Sequence, residues 1–306
     1  MISECASCGI KADMRCVGCL DAPEYHPGDA ISTVYCSRTC QTQHWPQHKV
    51  RCHTLSRRIK LLRAAHIFKA ALLNYREVLY DIGLERIELQ DGALCLHQRL
   101  HAVTTRWQIV RFPAHLTTNV EHRDAALLNN QCTLAMALLG RLVRKLLKAS
   151  TIEVLDIHIG KPRLPTRLVP GPDASQVLHT VLNVRPRLTG ETWVVDTAGS
   201  QYGFRDVLVP FDKYIADTLG RIVSAPATYD STETKDLDYY ATLGFMNKTE
   251  AQQQNLCEER KARLHFARFV DQGVGEEVLR GSTVEWKDKP DEFAAGLKAH
   301  LMELVI

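Results

Sequence analysis

Four pairs of soft metal ligands fall within residues 5–52, and no other feature of the chain constrains its fold as tightly. Cys5 and Cys8 form a CxxC, Cys16 and Cys19 a second CxxC, Cys36 and Cys40 a CxxxC, and His48 and Cys52 an HxxxC. A CxxC lets two thiolates from one tight turn meet a single ion at a Zn–S distance of ~2.3 Å. Ligands four residues apart share one face of a helical turn. Eight ligands are enough for two tetrahedral zinc ions. A segment this small cannot bury enough apolar surface to fold unaided. Structural zinc supplies the difference, contributing on the order of 10–16 kcal/mol in small finger peptides. Scattered buried or reactive cysteines are the competing account, and four ligand pairs in series argue against it.

Composition narrows the class. The 306 residues are 45% hydrophobic and 24% charged, with a formal net charge of +3. That balance fits a globular chain, and so small a charge gives no bulk attraction to nucleic acid or membrane. The N-terminal MISECASCGI has no apolar core of a secretory signal. The longest apolar runs fall far short of the ~20 residues of a membrane span. The expected location is therefore intracellular, in cytoplasm or nucleus. In such a reducing compartment a run of cysteines speaks for metal or catalysis and against a disulfide scaffold.

The stretch YCSRTCQTQHWPQHKVRC, from Tyr35 to Cys52, resembles the second half of a MYND-type zinc finger, with its YCS-x-x-CQ, W-x-x-H and terminal Cys. Cys5, Cys8, Cys16 and Cys19 match the first half. The resemblance implies interleaved ligation: Cys5, Cys8, Cys36 and Cys40 around one ion, and Cys16, Cys19, His48 and Cys52 around the other. His44 is the serious rival to His48, and the position of Trp45 favours His48. The Pro- and Gly-containing stretch between Cys19 and Cys36 is longer than the family leads one to expect and reads as an inserted loop. Residues 1–60 carry eight Lys/Arg and five Asp/Glu. Seven thiolates and two Zn²⁺ then bring the finger to neutrality, without the positive field that dominates nucleic-acid affinity. Similar fingers are protein-interaction modules that take short, often proline-containing peptides, so the implied partner is a protein.

Beyond Cys52 the pattern changes. The expected organisation is a finger over 1–54, a connecting helix over 55–82 and an α+β domain over 83–306. Leu55–Ile82 has apolar residues at helical spacing and reads as a long amphipathic helix. ERIELQDGALCLHQ alternates about Asp91-Gly92, a hairpin signal. RWQIVRFP and TIEVLDIHIG read as strands, and DAALLNNQCTLAMALLGRLVRKLLKA as one helix. KPRLPTRLVPGPDASQ reads as a Pro-rich loop. VLHTVLNVRPRL and TWVVDTAG read as strands joined at Thr189-Gly190, and the tail as helices near Glu250–Asp271 and Asp291–Val305.

Three residues of this domain stand in a suggestive order. Cys132 lies early in a helix, where the dipole favours its thiolate. His179 opens a strand and can take the thiol's proton, and Asp196 ends the next strand and can fix the imidazole's tautomer. A two-residue turn at Thr189-Gly190 would set His179 opposite Ser200 and Asp196 opposite Asn183. The two side chains would then share a face with a wide offset along the strands. This order, with ETWVVDTAGSQYG as a Trp-x-x-Asp strand, resembles the core of transglutaminase-like and papain-like cysteine folds. The resemblance implies a cysteine hydrolase or acyltransferase. The competing account makes Cys132 a small buried hydrophobe, His179 a satisfied core histidine and Asp196 a turn former. In the loop that follows, Gly199 and Gly203 allow close backbone approach, and Gln201, Tyr202 and Tyr214 offer polar handles. NNQCTLA lacks the His, Pro and final Asn of the motif found in MYND-containing SET-domain methyltransferases, which sets that reading aside.

The leading expectation is thus a zinc-binding, intracellular regulator or adaptor that binds peptide segments of partners, with two Zn²⁺ per chain. The alternative is a cysteine enzyme using Cys132, His179 and Asp196.

Overall fold

The computed structural model describes residues 3–99, 110–171, 177–229, 238, 244 and 247–304. The order of elements is that of a small metal-ligand module followed by a mixed α+β domain. Two short strands, β1 (Met14–Arg15) and β2 (Val34–Tyr35), pair antiparallel and hold the N-terminal module together. Helix α1 runs unbroken from Arg38 to Val78. It starts where Ser37 accepts a hydrogen bond from the backbone N–H of Cys40, an N-cap that fixes the first turn. The helix therefore begins inside the ligand cluster and continues into the second domain, with Pro46 in its N-terminal part.

Alpha-helical periodicity over 55–82 leads one to expect one apolar stripe. Instead burial extends well beyond one stripe: Leu61, Phe68 and Tyr75 lie on one face, and Arg63, Ile67 and Asn74, turned well away from them, are buried too. A helix at the centre of a domain needs apolar contact all round. It is clasped by α2 (Val120–Leu128), α3 (Cys132–Leu146) and α7 (Lys289–Met302), which follows the short α6 (Thr283–Trp286), while α5 (Glu250–Gly273) packs on α3 and α7. The single helix expected over 124–149 is split at Asn130, whose φ of 57° is left-handed, so that Cys132 becomes the first residue of a new helix.

Against this helical layer lies an antiparallel sheet. β5 (Ser150–His158) pairs with β7 (His179–Pro186), β7 with β8 (Trp193–Val195) and β8 with β9 (Leu208–Pro210). Two short strands, β10 (Arg221–Ile222) and β11 (Ala227–Thr228), both pair with β5. Alternation along β7 sends Leu182 and Val184 into the main core and Val181 to the opposite face. There Val181, Leu155, Ile157 and Val194 pack with Tyr214 of α4 (Phe211–Thr218).

A second sheet carries the hairpin of β3 (Leu84–Gln90) and β4 (Ala93–Gln98). Asp91 and Gly92 take φ of 49° and 73°, as a two-residue hairpin turn of this hand requires. The Pro-rich segment is not wholly loop: β6 (Thr166–Val169) adds in parallel to β4. Its proline-free core supplies the ladder, and the flanking prolines end it. Half of the strand expected over 106–113, residues 106–109, lies outside the described residues, and Val110 pairs with Tyr80.

The β7–β8 register differs from expectation. Val184 faces Trp193 and Leu182 faces Val195. The connection is wider than a two-residue turn, with Leu188 and Gly190 both at positive φ. Continued by one residue, this register sets Asp196 opposite Val181, two residues closer to His179 than a tight turn would.

Candidate functional site

The N-terminal module brings all eight expected ligands into two sets. The sulfurs of Cys5, Cys8, Cys36 and Cys40 lie within 4.8 Å of one another, as do the ligand atoms of Cys16, Cys19, His48 and Cys52. In the first set the Sγ–Sγ separations include 3.5 Å for Cys8–Cys36 and Cys36–Cys40, and 3.7 Å for Cys40–Cys8. In the second, Cys16 and Cys52 are 3.7 Å apart, and His48 Nε2 lies 3.3 Å from Cys16 and 3.6 Å from Cys19. A tetrahedron with Zn–S of ~2.3 Å has edges of about 3.8 Å, so both sets fit zinc. Crowded thiols resist ionising together. Cys36 is pushed up to about 12, first by Cys40, and Cys52 to about 12, first by burial and then by Cys16. A bound dication is the group that lets such clusters shed their protons.

His48 is chosen over His44 by its surroundings. His48 Nδ1 lies 3.2 Å from the Thr33 hydroxyl, which leaves Nε2 for the metal and fixes the ring. His44 Nδ1 is instead 3.1 Å from the Tyr35 hydroxyl. Gly18 was not singled out by sequence, yet a Cβ there would sit 2.8 Å from Cys52 Sγ. Only glycine lets the Cys16–Cys19 turn close around that ligand.

The inserted loop between Cys19 and Cys36 docks the finger on the sheet. Arg58 of α1 donates to both carboxylate oxygens of Asp29 at 2.8 Å, and its Nε and Nη2 donate to Glu191 Oε1 at 3.0 and 2.7 Å. Buried as it is, Arg58 keeps its charge because the two carboxylates face it. Tyr25 packs on Trp193 with ring centroids 5.2 Å apart, and its hydroxyl accepts the Thr192 N–H. Sequence reading saw a loop that leaves ligation unaltered; its second role as a dock carried no local signal.

The second candidate set also converges in part. His179 Nε2 donates to Asp196 Oδ1 at 2.9 Å. The same oxygen accepts the Ala198 N–H, and Tyr214 donates to Oδ2 at 2.8 Å. Asp196 is thereby held by three donors, two of them outside the expected triad. Burial raises its carboxyl, but the imidazolium and these donors bring it below the usual carboxylate range. Burial opposes a charge on His179 as well, and Asp196 overcomes it, raising the imidazole to about 10. His179 Nδ1 is buried without a partner of ordinary hydrogen-bond geometry. His179 also bears on the Cys132 thiol. Burial pushes the thiol up, but His179 and the backbone at Thr180 and Thr133 bring it below its ordinary value. Cys132 is buried, 7% exposed, and its Sγ lies 3.8 Å from the carbonyl oxygen of Leu178, a residue 38% exposed. The thiol does not lie open to solvent.

A third cluster, His265, His300 and Glu303, brings ligand atoms together but is otherwise committed. His265 Nε2 donates to the His300 carbonyl and His300 Nε2 to the His265 carbonyl, with rings stacked at 3.8 Å. These bonds lock α5 to α7.

No helix among the described residues is long and apolar enough to cross a membrane. Residues 5–52 match the family described as MYND finger. No curated protein and no solved structure matches the chain, so the likeness of its larger domain to transglutaminase-like or papain-like folds finds no support from comparison. With two four-ligand sets interleaved along the matched segment, the N-terminal module of this chain is a MYND finger built to bind two zinc ions.

Proposed function

We propose that the chain is an intracellular, zinc-dependent interaction protein whose finger, residues 1–54, binds short peptide segments of partner proteins, proline-containing ones among them. MYND fingers are commonly protein-interaction modules, and one observation on this chain carries the reading. The finger's interior is given to ligands, while Ile10, Val17, Ile31, Trp45 and Val50 are exposed on a module that, with two Zn²⁺ bound, carries no net positive charge. Apolar groups on a surface without net positive charge favour peptides over phosphates. A library of short proline-containing peptides, screened against the full chain, is expected to yield ligands of micromolar affinity. Their binding is expected to fall at least ~10-fold with Trp45→Ala, and to vanish when a chelator strips the zinc. Tight, salt-sensitive binding of duplex DNA with no peptide selected would overturn the reading.

A second reading is favoured by the 2.9 Å His179–Asp196 pair beside Cys132. Residues 83–306 would then carry thiol chemistry, with Cys132 as nucleophile, His179 as its proton acceptor and Asp196 as the group that orients the ring. Iodoacetamide applied to the zinc-loaded chain at pH 6.5 is expected to label Cys132 ahead of Cys95 and Cys257. Equal or slower labelling of Cys132 would remove this reading.

A further inference from the structure

A cavity of about 490 Å³ opens where α1, α2, the segment before β6 and the short helical turn Gly199–Tyr202 meet. That is room for a small organic molecule. Its walls are fixed from two sides. Arg163 and Leu164 both donate their backbone N–H to the Tyr202 carbonyl, at 2.8 and 3.0 Å. Gly203 follows at a φ of 77°, and a Cβ there would lie 2.7 Å from the Leu164 nitrogen, so glycine is what lets these two segments close. On the other side Gln201 Oε1 accepts the Asn130 N–H at 3.0 Å and ties the same turn to the end of α2. The charges of the lining do not cancel. Lys69 pairs with Asp124 at 3.4 Å and Arg205 with Glu121 at 2.6 Å, so both carboxylates that line the cavity are taken. Arg163 is exposed and forms no ion pair among the described residues; its guanidinium stands over the Phe204 ring, 6.0 Å from the centroid. Three cations against two carboxylates leave the lining one positive charge in excess, and the unpaired one is Arg163. A guanidinium stacked on a ring keeps its edge N–H groups free, and that fork matches a carboxylate. Ser200 adds a hydroxyl with no hydrogen-bond partner among the described residues, and Ala125, Leu164 and Phe204 give the cavity its apolar wall.

We propose that this cavity binds a small organic acid with a single carboxylate on an apolar, ring-bearing body, the carboxylate meeting Arg163 and the body lying against Ala125, Leu164 and Phe204. The charge balance selects a monoanion. One negative charge neutralises the excess of the lining, whereas a second would meet Asp124 and Glu121 uncompensated, with Asp206 bordering the adjoining cleft. The walls are held before a ligand arrives, so little of the binding energy is spent on ordering them. The site is independent of peptide binding by the finger and of chemistry at Cys132, and neither of those readings stands or falls with it.

Three probes with one ring system and different charge test the assignment: 1-naphthoate, the neutral 1-naphthamide and 1-naphthyl phosphate, a dianion at pH 7.5. Isothermal titration of the zinc-loaded full chain at that pH is expected to show one saturable naphthoate site. Naphthoate is expected to bind at least ~10-fold tighter than either of the other two, as a charge-assisted pair with Arg163 requires. Arg163→Gln removes the charge from an exposed side chain and leaves its backbone N–H on Tyr202 in place, so the fold is kept, which circular dichroism checks. It is expected to weaken naphthoate at least ~10-fold and to leave naphthamide within about 3-fold. Arg163→Lys keeps the charge without the planar fork and is expected to fall between the two. Absence of saturable naphthoate binding, or naphthoate affinity unchanged within about 3-fold in Arg163→Gln, overturns the site. Equal binding of naphthamide, or tighter binding of naphthyl phosphate, overturns the assignment of a monocarboxylate.

Discussion

Replacing Cys16 with alanine is expected to release one of two zinc ions and to unfold the finger, while the helices and sheet of residues 83–304 keep their secondary structure. Cys16 is a buried ligand of the set with Cys19, His48 and Cys52. Its neighbour Arg15 pairs with Val34 in the finger's small ladder. The apolar part of the finger's interior is small: Ala12, Tyr35 and Leu55 join four ligand cysteines. With structural zinc contributing on the order of 10–16 kcal/mol, no such interior can compensate for a lost site. The larger domain has its own core around Phe68, Leu72, Leu139 and Phe266. Its loss is confined to the dock. Arg58 keeps Glu191 but loses Asp29, and Trp193 loses Tyr25. A destabilisation of about 1–3 kcal/mol follows for the domain. Metal analysis with thermal unfolding followed by circular dichroism checks both parts. Retention of two ions, or collapse of the whole helical signal, contradicts the scheme.

Asp196→Ala is expected to lower folding stability by about 3–5 kcal/mol, because it leaves a fully buried imidazole without the carboxylate that lets it carry charge. The loss depends on pH in a defined direction. The folded His179 value, about 10, lies above its ordinary 6.5, so its contribution is complete below about pH 6.5 and is lost as pH rises toward 10. Asp196 is depressed below 3.8, so its contribution is complete above about pH 4 and is lost as pH falls through the folded value. The stability difference between the two chains is therefore expected to be largest between about pH 4 and 6.5 and to shrink on the alkaline side. Cys132, whose thiol is lowered, acts with the opposite sign. Comparison in a Cys132→Ala background keeps its titration out of the curve. Urea unfolding at pH 6 and pH 9.5 measures the difference. A difference that grows with pH would show that His179 is neutral in the folded chain.

The finger was legible because its constraint is local. Ligand spacing fixes which atoms can meet one ion, and all eight ligands converge as the spacing and the family resemblance imply. The hairpin at Asp91-Gly92 was legible for the same reason, since two residues at positive φ announce it. What escaped was set by distant partners. Nothing near Arg58 in the chain tells that Glu191 faces it 133 residues away. The strand in the Pro-rich segment exists because β4 offers it an edge. The break before Cys132 depends on one left-handed asparagine inside an otherwise helical pattern. The order of Cys132, His179 and Asp196 along the chain was visible, but the closeness of His179 and Asp196 depended on a β7–β8 turn wider than Thr189-Gly190 alone. Tyr214, which also holds Asp196, was noticed only as a polar handle beside the site. Buried polar partners of this sort leave no periodic trace in sequence.

The central claim is a finger of two interleaved sites, one all-sulfur and one with a single histidine nitrogen, and cadmium-113 NMR tests it most directly. Full-length chain, labelled with nitrogen-15 and exchanged with two cadmium-113 ions, is expected to give two resonances of equal intensity. One should arise from an S4 site and the other from an S3N site, the latter showing scalar coupling to Nε2 of His48, which faces Cys16 and Cys19. A single resonance, or coupling to His44 in place of His48, would contradict the account.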